Sequence, residues 1–407
     1  MNKIALWTLY LIYGLDMAGI WVVFVVFAPL LIDPANGMLP SDYSVGARNV
    51  LLGVLFAAYP LAQFFAAPFL GELSDRIGRK KPLLFACLAT GLAFIFSAYA
   101  IYVNSYFLLL LSRLWSGFTS GNMTIAQAAV SDGVEKEKIP SAMAMFNTIS
   151  GIGWIVAPFG GSLLTDRHLA SWFSFETPFL VMAICFFILA FLLAKHFKES
   201  HHREDKSVSI NAIVYDYKEV FFDPKLRTSL LMAFSSIFAW LLYQGFMSTY
   251  LDERYNFSEN QIGSTFDYFS FFWFLGGFIA SNWLLKKFSA KKLLPVPLVI
   301  VPFAIVAYLF FKTPDYMWLF SAIANVGESL IISCFFAIFA SEAKESQQGK
   351  VFGFWNASQA FSFFITPIIA GAVSAVHINI PFSLAAIIGI LIIVWFFRCR
   401  KLQFSSS

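Results

Sequence analysis

Charged residues are scarce in this 407-residue sequence. Asp, Glu, Lys and Arg together make up 13% of it, whereas about 25% is usual for a soluble domain. Hydrophobic residues make up 59%. This composition excludes a water-soluble globular protein. The net charge of +4 is small and indicates no nucleic-acid partner.

Cysteine is equally sparse, and the four cysteines stand singly without CxxC spacing. We read them as small packing residues rather than as disulfides or metal ligands. The sequence has no phosphate-binding loop, nucleophile elbow or metal-spaced cluster, so we predict no enzyme, cofactor or metal site. It enters an apolar run almost at once without a small-residue cleavage site, and we expect no removable signal peptide.

Long apolar runs are abundant. A helix crosses a bilayer with about 20 apolar residues. By that measure we count twelve spans, at 5–32, 48–72, 82–102, 106–130, 141–165, 177–196, 228–250, 261–285, 293–311, 316–340, 350–374 and 379–397. The sequence therefore predicts an all-α membrane protein with twelve transmembrane helices and both termini on one side.

Basic residues predict which side that is. If the N-terminus is cytoplasmic, the outer loops hold only Arg48, Arg167, Arg254 and Lys312, and Arg113 lies within a span. The remaining basic residues then fall on the cytoplasmic side. This asymmetry follows the positive-inside rule and predicts that both termini are cytoplasmic.

The chain divides into two similar halves. Landmarks recur at an offset of about 210 residues, as in transporters built from two parallel repeats. They are Gly53 and Gly263, Gly117 and Gly327, Asp132 and Glu342, Asn147 and Asn356, and Pro158 and Pro367. We predict a six-helix bundle at 1–196, a cytoplasmic linker at 197–227 with a possible amphipathic surface helix, and a second six-helix bundle at 228–407.

A charged segment separates the second and third spans. We call residues 71–82, Gly-Glu-Leu-Ser-Asp-Arg-Ile-Gly-Arg-Lys-Lys-Pro, the charged loop. Its basic cluster belongs in a cytoplasmic connection, and Gly78 permits a tight reversal. The spacing G-x-L-S-D-R-x-G-R-K resembles the loop between helices two and three of the major facilitator superfamily.

The resemblance implies a conformational latch between helices. Its residues here are Gly71, Asp75, Arg76, Gly78 and Arg79, and we add Asp132 at the end of the fourth span. The corresponding position in the second half lies near Lys286 and Lys287, with no acid nearby in the sequence. We therefore expect the first half to supply the stronger latch.

The fourth span contains Arg113, and a guanidinium at membrane depth must face the bundle interior. Gly117 and Gly121 leave the same helix face flat for a neighbouring helix. The pattern R-x-x-x-G resembles the superfamily motif that is tied to proton coupling. The alternative is a buried arginine that only pins helices together.

The fifth span contains small residues around a proline, which allow a kink and close packing against the opposite half. It is similar to the superfamily's antiporter motif, and the positions that correspond to that motif include Gly153, Ala157, Pro158, Gly160 and Gly161. Ala157 replaces a glycine of that motif, and Ser162 replaces another. A simple helix-packing motif is the alternative.

Three acids lie within spans, namely Asp16, Asp267 and Glu328. A carboxylate without a partner in a low dielectric tends to hold a proton, which suits a proton-coupling role. For Asp16 and Glu328 the alternative is a structural ion pair with Arg113. Asp267 is nearer the outer end of its span, where the alternative is contact with water.

The sequence has 49 phenylalanines and many other aromatics, most of which we expect to face lipid or pack the bundle. Our candidates for a substrate pocket are Gln63, Trp240, Tyr243, Asn325 and Trp355.

Residues 51–84 are similar to the second helix of tetracycline efflux proteins, and Leu15–Ile20 look like part of their first helix. The resemblance implies a drug:proton antiporter with the major facilitator fold, monomeric, in a bacterial inner membrane, with a small molecule and protons as its partners. The alternative is a proton-coupled importer or facilitator of a nutrient such as an amino acid, nucleoside or siderophore. A non-transporting scaffold has no use for costly buried charges.

Overall fold

The computed structural model describes residues 1–199, 223–245, 247–257, 259–310, 314–343, 347–374, 377 and 379–404. Within these ranges all regular structure is helical. Most of the predicted linker, including its possible amphipathic helix, lies outside the described residues.

The helices of the first sequence half are α1 (Lys3–Ile32), α2 (Val45–Ile77), α3 (Lys80–Tyr102), α4 (Tyr106–Thr119), α5 (Gly121–Gly133), α6 (Ile139–Thr165) and α7 (Thr177–His196). Those of the second half are α8 (Pro224–Gly245), α9 (Met247–Tyr255), α10 (Glu259–Ile279), α11 (Pro295–Phe310), α12 (Pro314–Glu342), α13 (Gln348–Ser374) and α14 (Ile380–Phe404). A π-helical turn, Ala280–Leu284, and the short helices Leu285–Lys287 and Ala290–Leu293 connect α10 to α11.

The predicted spans match these helices with one difference: the predicted fourth span divides at Ser120 into α4 and α5. The predicted seventh span is described on both sides of residue 246, as α8 and α9. Ten helical segments within the described residues are long and apolar enough to cross a membrane. Some of these segments include the short helix or helical turn next to a long helix. The helix boundaries have local causes: the side chains of Asn2, Ser44 and Ser105 accept hydrogen bonds from the first turns of α1, α2 and α4.

The helices form two compact units. Unit 1 contains residues 1–134, 152–217 and 344–360, and unit 2 contains residues 135–151, 218–343 and 361–407. Two helices, α6 and α13, are therefore divided between the units. The residues that begin α13, although they come from the second sequence half, pack within unit 1.

Unit 1 is built on close helix packing. Its α3 packs on α4 and α7, α2 packs on α4, and α1 packs on α5 and α7. A Cβ at Gly117 would meet the carbonyl oxygen of Tyr59, and one at Gly121 would lie 2.5 Å from Leu70 Cδ1. The two glycines thus leave a flat surface on α4 and α5 against which α2 packs, as their spacing predicts.

Unit 2 is organised around α12, the most deeply buried of its candidate spans. That helix packs on α8, α10 and α11, and α14 completes the contacts against α8 and α11. The start of α6, residues 135–151, belongs to this unit, and a Cβ at Gly151 would lie 2.8 Å from Phe274 Cα.

Candidate functional site

Asp75 in the charged loop binds the first turn of α13. Its Oδ1 accepts a hydrogen bond from the Gly349 backbone N–H at 3.0 Å, and its Oδ2 accepts one from the Lys350 N–H at 2.9 Å. The carboxylate is buried. It satisfies two amides that have no partner within their own helix, and its charge is favourable at a helix N-terminus.

Arg79 connects this carboxylate to a second acid. Its Nη1 lies 2.5 Å from Asp75 Oδ1 and 2.7 Å from Ser74 Oγ, and its Nε lies 2.9 Å from Asp132 Oδ2. The guanidinium is fully buried. Burial alone would lower the pKa of Arg79, but the charges of Asp75 and Asp132 outweigh it and raise the pKa above its ordinary value.

A backbone crossing brings these groups together. A Cβ at Gly71 would collide with the Gly349 carbonyl oxygen, and a Cβ at Gly349 would collide with that of Gly71. It would also lie 2.7 Å from Asp75 Oδ1. Only glycine at both positions lets α2 and α13 approach this closely.

A second ion-pair group lies beside the first and was not predicted. Arg76 Nε forms an ion pair with Glu72 Oε1 at 2.6 Å. Lys350 Nζ, also buried, lies 3.2 Å from Glu72 Oε2. The i,i+4 spacing of Glu72 and Arg76 was the available sequence signal. Lys350, by contrast, is distant in sequence.

Gly78 ends α2 at a φ of 94°, where a side chain would be strained. The Glu199 carboxylate occupies the space beside it and accepts hydrogen bonds from the backbone N–H groups of Arg79 at 2.7 Å and Lys80 at 3.1 Å. Glu199 therefore caps the start of α3, a role that the sequence analysis did not assign.

The counterpart in unit 2 is more exposed. Lys291 Nζ pairs with Glu342 Oε1 at 2.7 Å, and Ser229 Oγ donates to Glu342 Oε2 at 3.1 Å. The Lys291 side chain is 59% exposed. The sequence around Lys286 and Lys287 contains no acid, and the acid that pairs with Lys291 comes instead from the distant end of α12.

Arg113 and Asp16 are both buried in unit 1. The Arg113 guanidinium carbon lies 5.0 Å from the centroid of the Tyr59 ring and 5.8 Å from that of Phe27. Asn122 Nδ2 donates to Asp16 Oδ1 at 3.4 Å. Among the described residues, Arg113 Nη1 and Asp16 Oδ2 have no hydrogen-bond partner. Cation–π contact therefore takes the place of the ion pair with Asp16 that we considered.

The other two acids lie in unit 2 in different surroundings. Glu328 is buried on α12, and Ser236 Oγ donates to its Oε1 at 3.0 Å. Asp267 is exposed on α10. Arg113 belongs to unit 1, whereas both of these acids belong to unit 2.

The pocket candidates fall into separate groups. In unit 2 the Trp240 ring lies 5.1 Å from that of Tyr243, and Ser321 accepts hydrogen bonds from Tyr243 OH at 3.2 Å and from Asn325 Nδ2 at 2.8 Å. In unit 1 Gln63 Nε2 contacts Met123 Sδ at 3.9 Å, and Trp355 is fully buried.

Two asparagines related by the internal repeat each form a buried polar cluster. In unit 2 Asn147 Nδ2 donates to Ser329 Oγ at 2.8 Å, and Asn147 Oδ1 accepts from Trp273 Nε1 at 3.1 Å. In unit 1 Asn356 Nδ2 donates to Thr124 Oγ1 at 3.0 Å and to Gln127 Oε1 at 2.9 Å. The repeat itself was the signal that could have identified them.

The antiporter-like residues of α6 pack mainly within unit 1. A Cβ at Gly153 would lie 3.3 Å from the Gly14 carbonyl oxygen, and one at Gly161 would lie 2.8 Å from Val22 Cγ2. Ala157 is buried, and a Cβ at Gly160 would meet nothing within 4 Å. Pro158 lies within the helix. Gly153 and Gly161 thus contact α1 of their own half. The packing that we expected against the opposite half is made by Gly151 of the same span, which faces Phe274.

The apolar helices and buried charges define a multi-pass membrane protein with a transporter fold. The sequence model of the Major Facilitator Superfamily matches residues 6–296 and 229–403. The chain belongs to this superfamily. This confirms the predicted all-α membrane fold of two six-helix bundles and places the protein among transporters rather than enzymes.

Similar proteins include several named for drug resistance. The chain is 31% identical over 204 residues to the class H tetracycline resistance protein of Pasteurella multocida, covering 50% of this chain and 46% of that protein. It is 25% identical to the class C tetracycline resistance protein of Escherichia coli, covering 92% and 91%. It is also 25% identical to the quinolone resistance protein NorA of Staphylococcus aureus, covering 97% and 96%.

Solved structures share the fold. The human organic anion transporter MFSD10 aligns with a TM-score of 0.82 at 17% identity, covering 97% of this chain and 100% of that chain. The proton:xylose symporter XylE aligns with a TM-score of 0.72 at 14% identity, covering 98% and 96%.

Proposed function

We propose that this protein exports a small molecule in exchange for protons by alternating access. Similarity over almost the whole chain to tetracycline and quinolone resistance proteins supports export. The observation that carries the proposal is the buried contact between Asp75 and the first turn of α13. It ties the last turns of α2, in the first sequence half, to a helix of the second half, and such a contact must break if the halves are to rock.

The proposal assigns a role in transport to each part of the chain. Residues 1–196 and 228–407 are the two moving bundles, joined by the linker 197–227. The protein works as a monomer in a bacterial inner membrane, with both termini in the cytoplasm, as the basic-residue asymmetry favours.

In this proposal the charged loop is a latch. Asp75, Arg79 and Asp132 hold the start of α13 in one conformation and release it in the other. Gly71 permits the approach, and Gly78 shapes the loop. We extend the latch to Glu72, Arg76 and Lys350, whose ion pairs lie at the same contact.

The proton-coupling groups are Asp16, Arg113, Glu328 and Asp267. Asp16 and Glu328 are the better candidates because both are buried and neither forms an ion pair among the described residues. A proton that neutralises a buried carboxylate changes the electrostatic cost of a conformation, and this couples proton uptake to movement. Arg113, with its cation–π contacts, adjusts the field around Asp16.

The importer alternative rests on two positions at which α6 differs from the antiporter motif. Ala157 and Ser162 stand where the antiporter motif has glycines, so α6 is an imperfect match to the segment that distinguishes exporters. Trp240, Tyr243, Asn325, Gln63 and Trp355 remain candidates for contact with either kind of substrate.

The test uses purified full-length protein in proteoliposomes with an internal pH dye and an imposed proton gradient. Tetracycline, norfloxacin, ethidium, a siderophore and a mixture of amino acids are added in turn. Proton movement opposite to substrate flux supports the antiporter and identifies its ligand class. Movement of both in the same direction overturns export and favours the importer. Substrate flux without proton movement overturns the coupling.

A further inference from the structure

A small cavity lies inside unit 2 beside Glu328. Its volume, measured with a water-sized probe, is about 20 Å³, which is enough for one water molecule. Its lining residues come from α8, α11, α12 and α14 and include Ser236, Trp240, Leu298, Pro302, Glu328 and Gly389.

Polar groups without partners border this cavity. The Trp240 side chain is buried, and its Nε1–H has no hydrogen-bond partner among the described residues. Pro302 has no backbone N–H, so the Leu298 carbonyl, four residues earlier in α11, lacks its usual helical donor. A donor and an acceptor without partners thus belong to residues that line a space the size of one water molecule, as Glu328 also does.

Electrostatic partners for Glu328 are absent from the lining. The described residues that line it include no lysine, arginine or histidine, and the hydroxyl among them that contacts Glu328 is that of Ser236. Among the neighbouring helices, α8 carries Tyr243, whose hydroxyl donates to Ser321, and α10 carries the exposed Asp267. Neither residue lines the cavity.

We infer that this cavity is a buried hydration site in which one water molecule joins Trp240 Nε1–H, the Leu298 carbonyl and the Glu328 carboxyl group, and so solvates Glu328 in both its protonated and its ionised state. A buried water molecule usually makes two to four hydrogen bonds, and these three partners meet that need. The inference rests on the proposed proton coupling and narrows it to Glu328, within unit 2.

The first test asks whether the Glu328 carboxyl group takes up a proton. Dicyclohexylcarbodiimide, an apolar reagent, modifies protonated carboxyl groups in apolar surroundings, and peptide mass spectrometry locates the adduct. We expect modification of Glu328 in detergent-solubilised protein, its loss in Glu328→Gln, and its retention in Asp16→Asn. Absence of the adduct at Glu328 across the pH range overturns the assignment. Because this assay needs neither substrate nor gradient, its result is separate from that of the transport assay.

The second test asks whether a water molecule occupies the cavity. X-ray radiolysis makes hydroxyl radicals from bound water, and these oxidise adjacent side chains. We expect oxidation of the buried Trp240, reduced several-fold in Pro302→Ala because the new amide of residue 302 bonds the Leu298 carbonyl. Pro297→Ala is the matched control, since residue 297 lies in the first turn of α11, where a missing N–H costs no helical bond. Equal oxidation of Trp240 in wild type and Pro302→Ala overturns the hydration site.

Discussion

Two ion pairs at repeat-related positions differ in their surroundings. In unit 1 Arg79 pairs with Asp132 and Asp75, and all three side chains are at most 5% exposed. In unit 2 Lys291 pairs with Glu342, and the lysine is 59% exposed. Asp132 and Glu342 occupy equivalent places in the internal repeat. Equivalent positions of the repeat therefore take part in a buried cluster in one half and in a solvated contact in the other.

The comparison shows where a conformational contact can store energy. An exposed ion pair contributes roughly 0–1 kcal/mol because water and salt screen it. A buried one is costly to break on one side only, since the remaining charge loses its partner. The proposed latch needs a contact that is strong when complete and weak when separated and rehydrated, and of the two contacts compared the buried one meets the first of these needs.

The largest expected effect comes from removing the central cation of the buried cluster. Arg79→Ala leaves Asp75 and Asp132 without it, and we expect a loss of about 3–5 kcal/mol in the free energy of unfolding. Denaturation in mixed micelles measures this loss. Arg79→Lys keeps the charge but not the forked geometry, and we expect it to fall between Arg79→Ala and wild type. A loss under about 1 kcal/mol for Arg79→Ala would remove the distinction between the two ion pairs.

A second variant tests the close backbone approach that builds the cluster. Gly71→Ala places a methyl group against the Gly349 carbonyl, and we expect it to destabilise the protein by about 1–3 kcal/mol. Gly53→Ala is the matched control on the same helix, where a Cβ would meet nothing within 4 Å. Helix propensity predicts that the control is neutral or stabilising by up to about 1 kcal/mol. Equal stabilities of the two variants would contradict the crossing.

Lys350 tests whether the latch extends to the second ion-pair group. Lys350→Met removes the contact with Glu72 Oε2 while Arg76 still binds Oε1. We therefore expect a smaller loss of about 1–2 kcal/mol in the same denaturation assay. Lys350→Arg keeps the charge and should stay closer to wild type. If both variants match wild type, the latch is limited to Asp75, Arg79 and Asp132.

The smallest effect is expected in unit 2. Lys291→Ala removes an exposed ion pair, so the free energy of unfolding should change by no more than about 1 kcal/mol. Raising the ionic strength should reduce even that difference, because salt screens exposed charges. A loss as large as that of Arg79→Ala would show that exposure does not separate the two halves.

Much of this architecture follows from local sequence. The apolar runs predict the spans because a helix must satisfy its own backbone in lipid. The charged loop is evident because Asp75, Gly78 and Arg79 lie close together in the chain. Gly117 and Gly121 predict a flat helix face because residues four apart share that face.

Other contacts depend on partners far away in the chain. Nothing in the sequence around Asp75 indicates that the backbone N–H groups of Gly349 and Lys350 donate hydrogen bonds to its carboxylate. Arg113 suggested an ion pair because a buried cation needs compensation, yet the faces of Tyr59 and Phe27 are its described neighbours. A single sequence shows that a buried charged side chain must have a partner. Which residue that partner is depends on tertiary packing.

Substrate turnover in Asp75→Asn tests the latch most directly. Asparagine keeps one acceptor oxygen, so the substitution removes the negative charge shared with Arg79 and one of the two hydrogen bonds to the first turn of α13. Transport and equilibrium binding are measured in proteoliposomes with whichever compound of the panel is carried, and Glu135→Gln, at an exposed surface acid, is the control. The latch predicts slower turnover with nearly unchanged binding in Asp75→Asn and wild-type values in the control. Wild-type turnover in Asp75→Asn would contradict it.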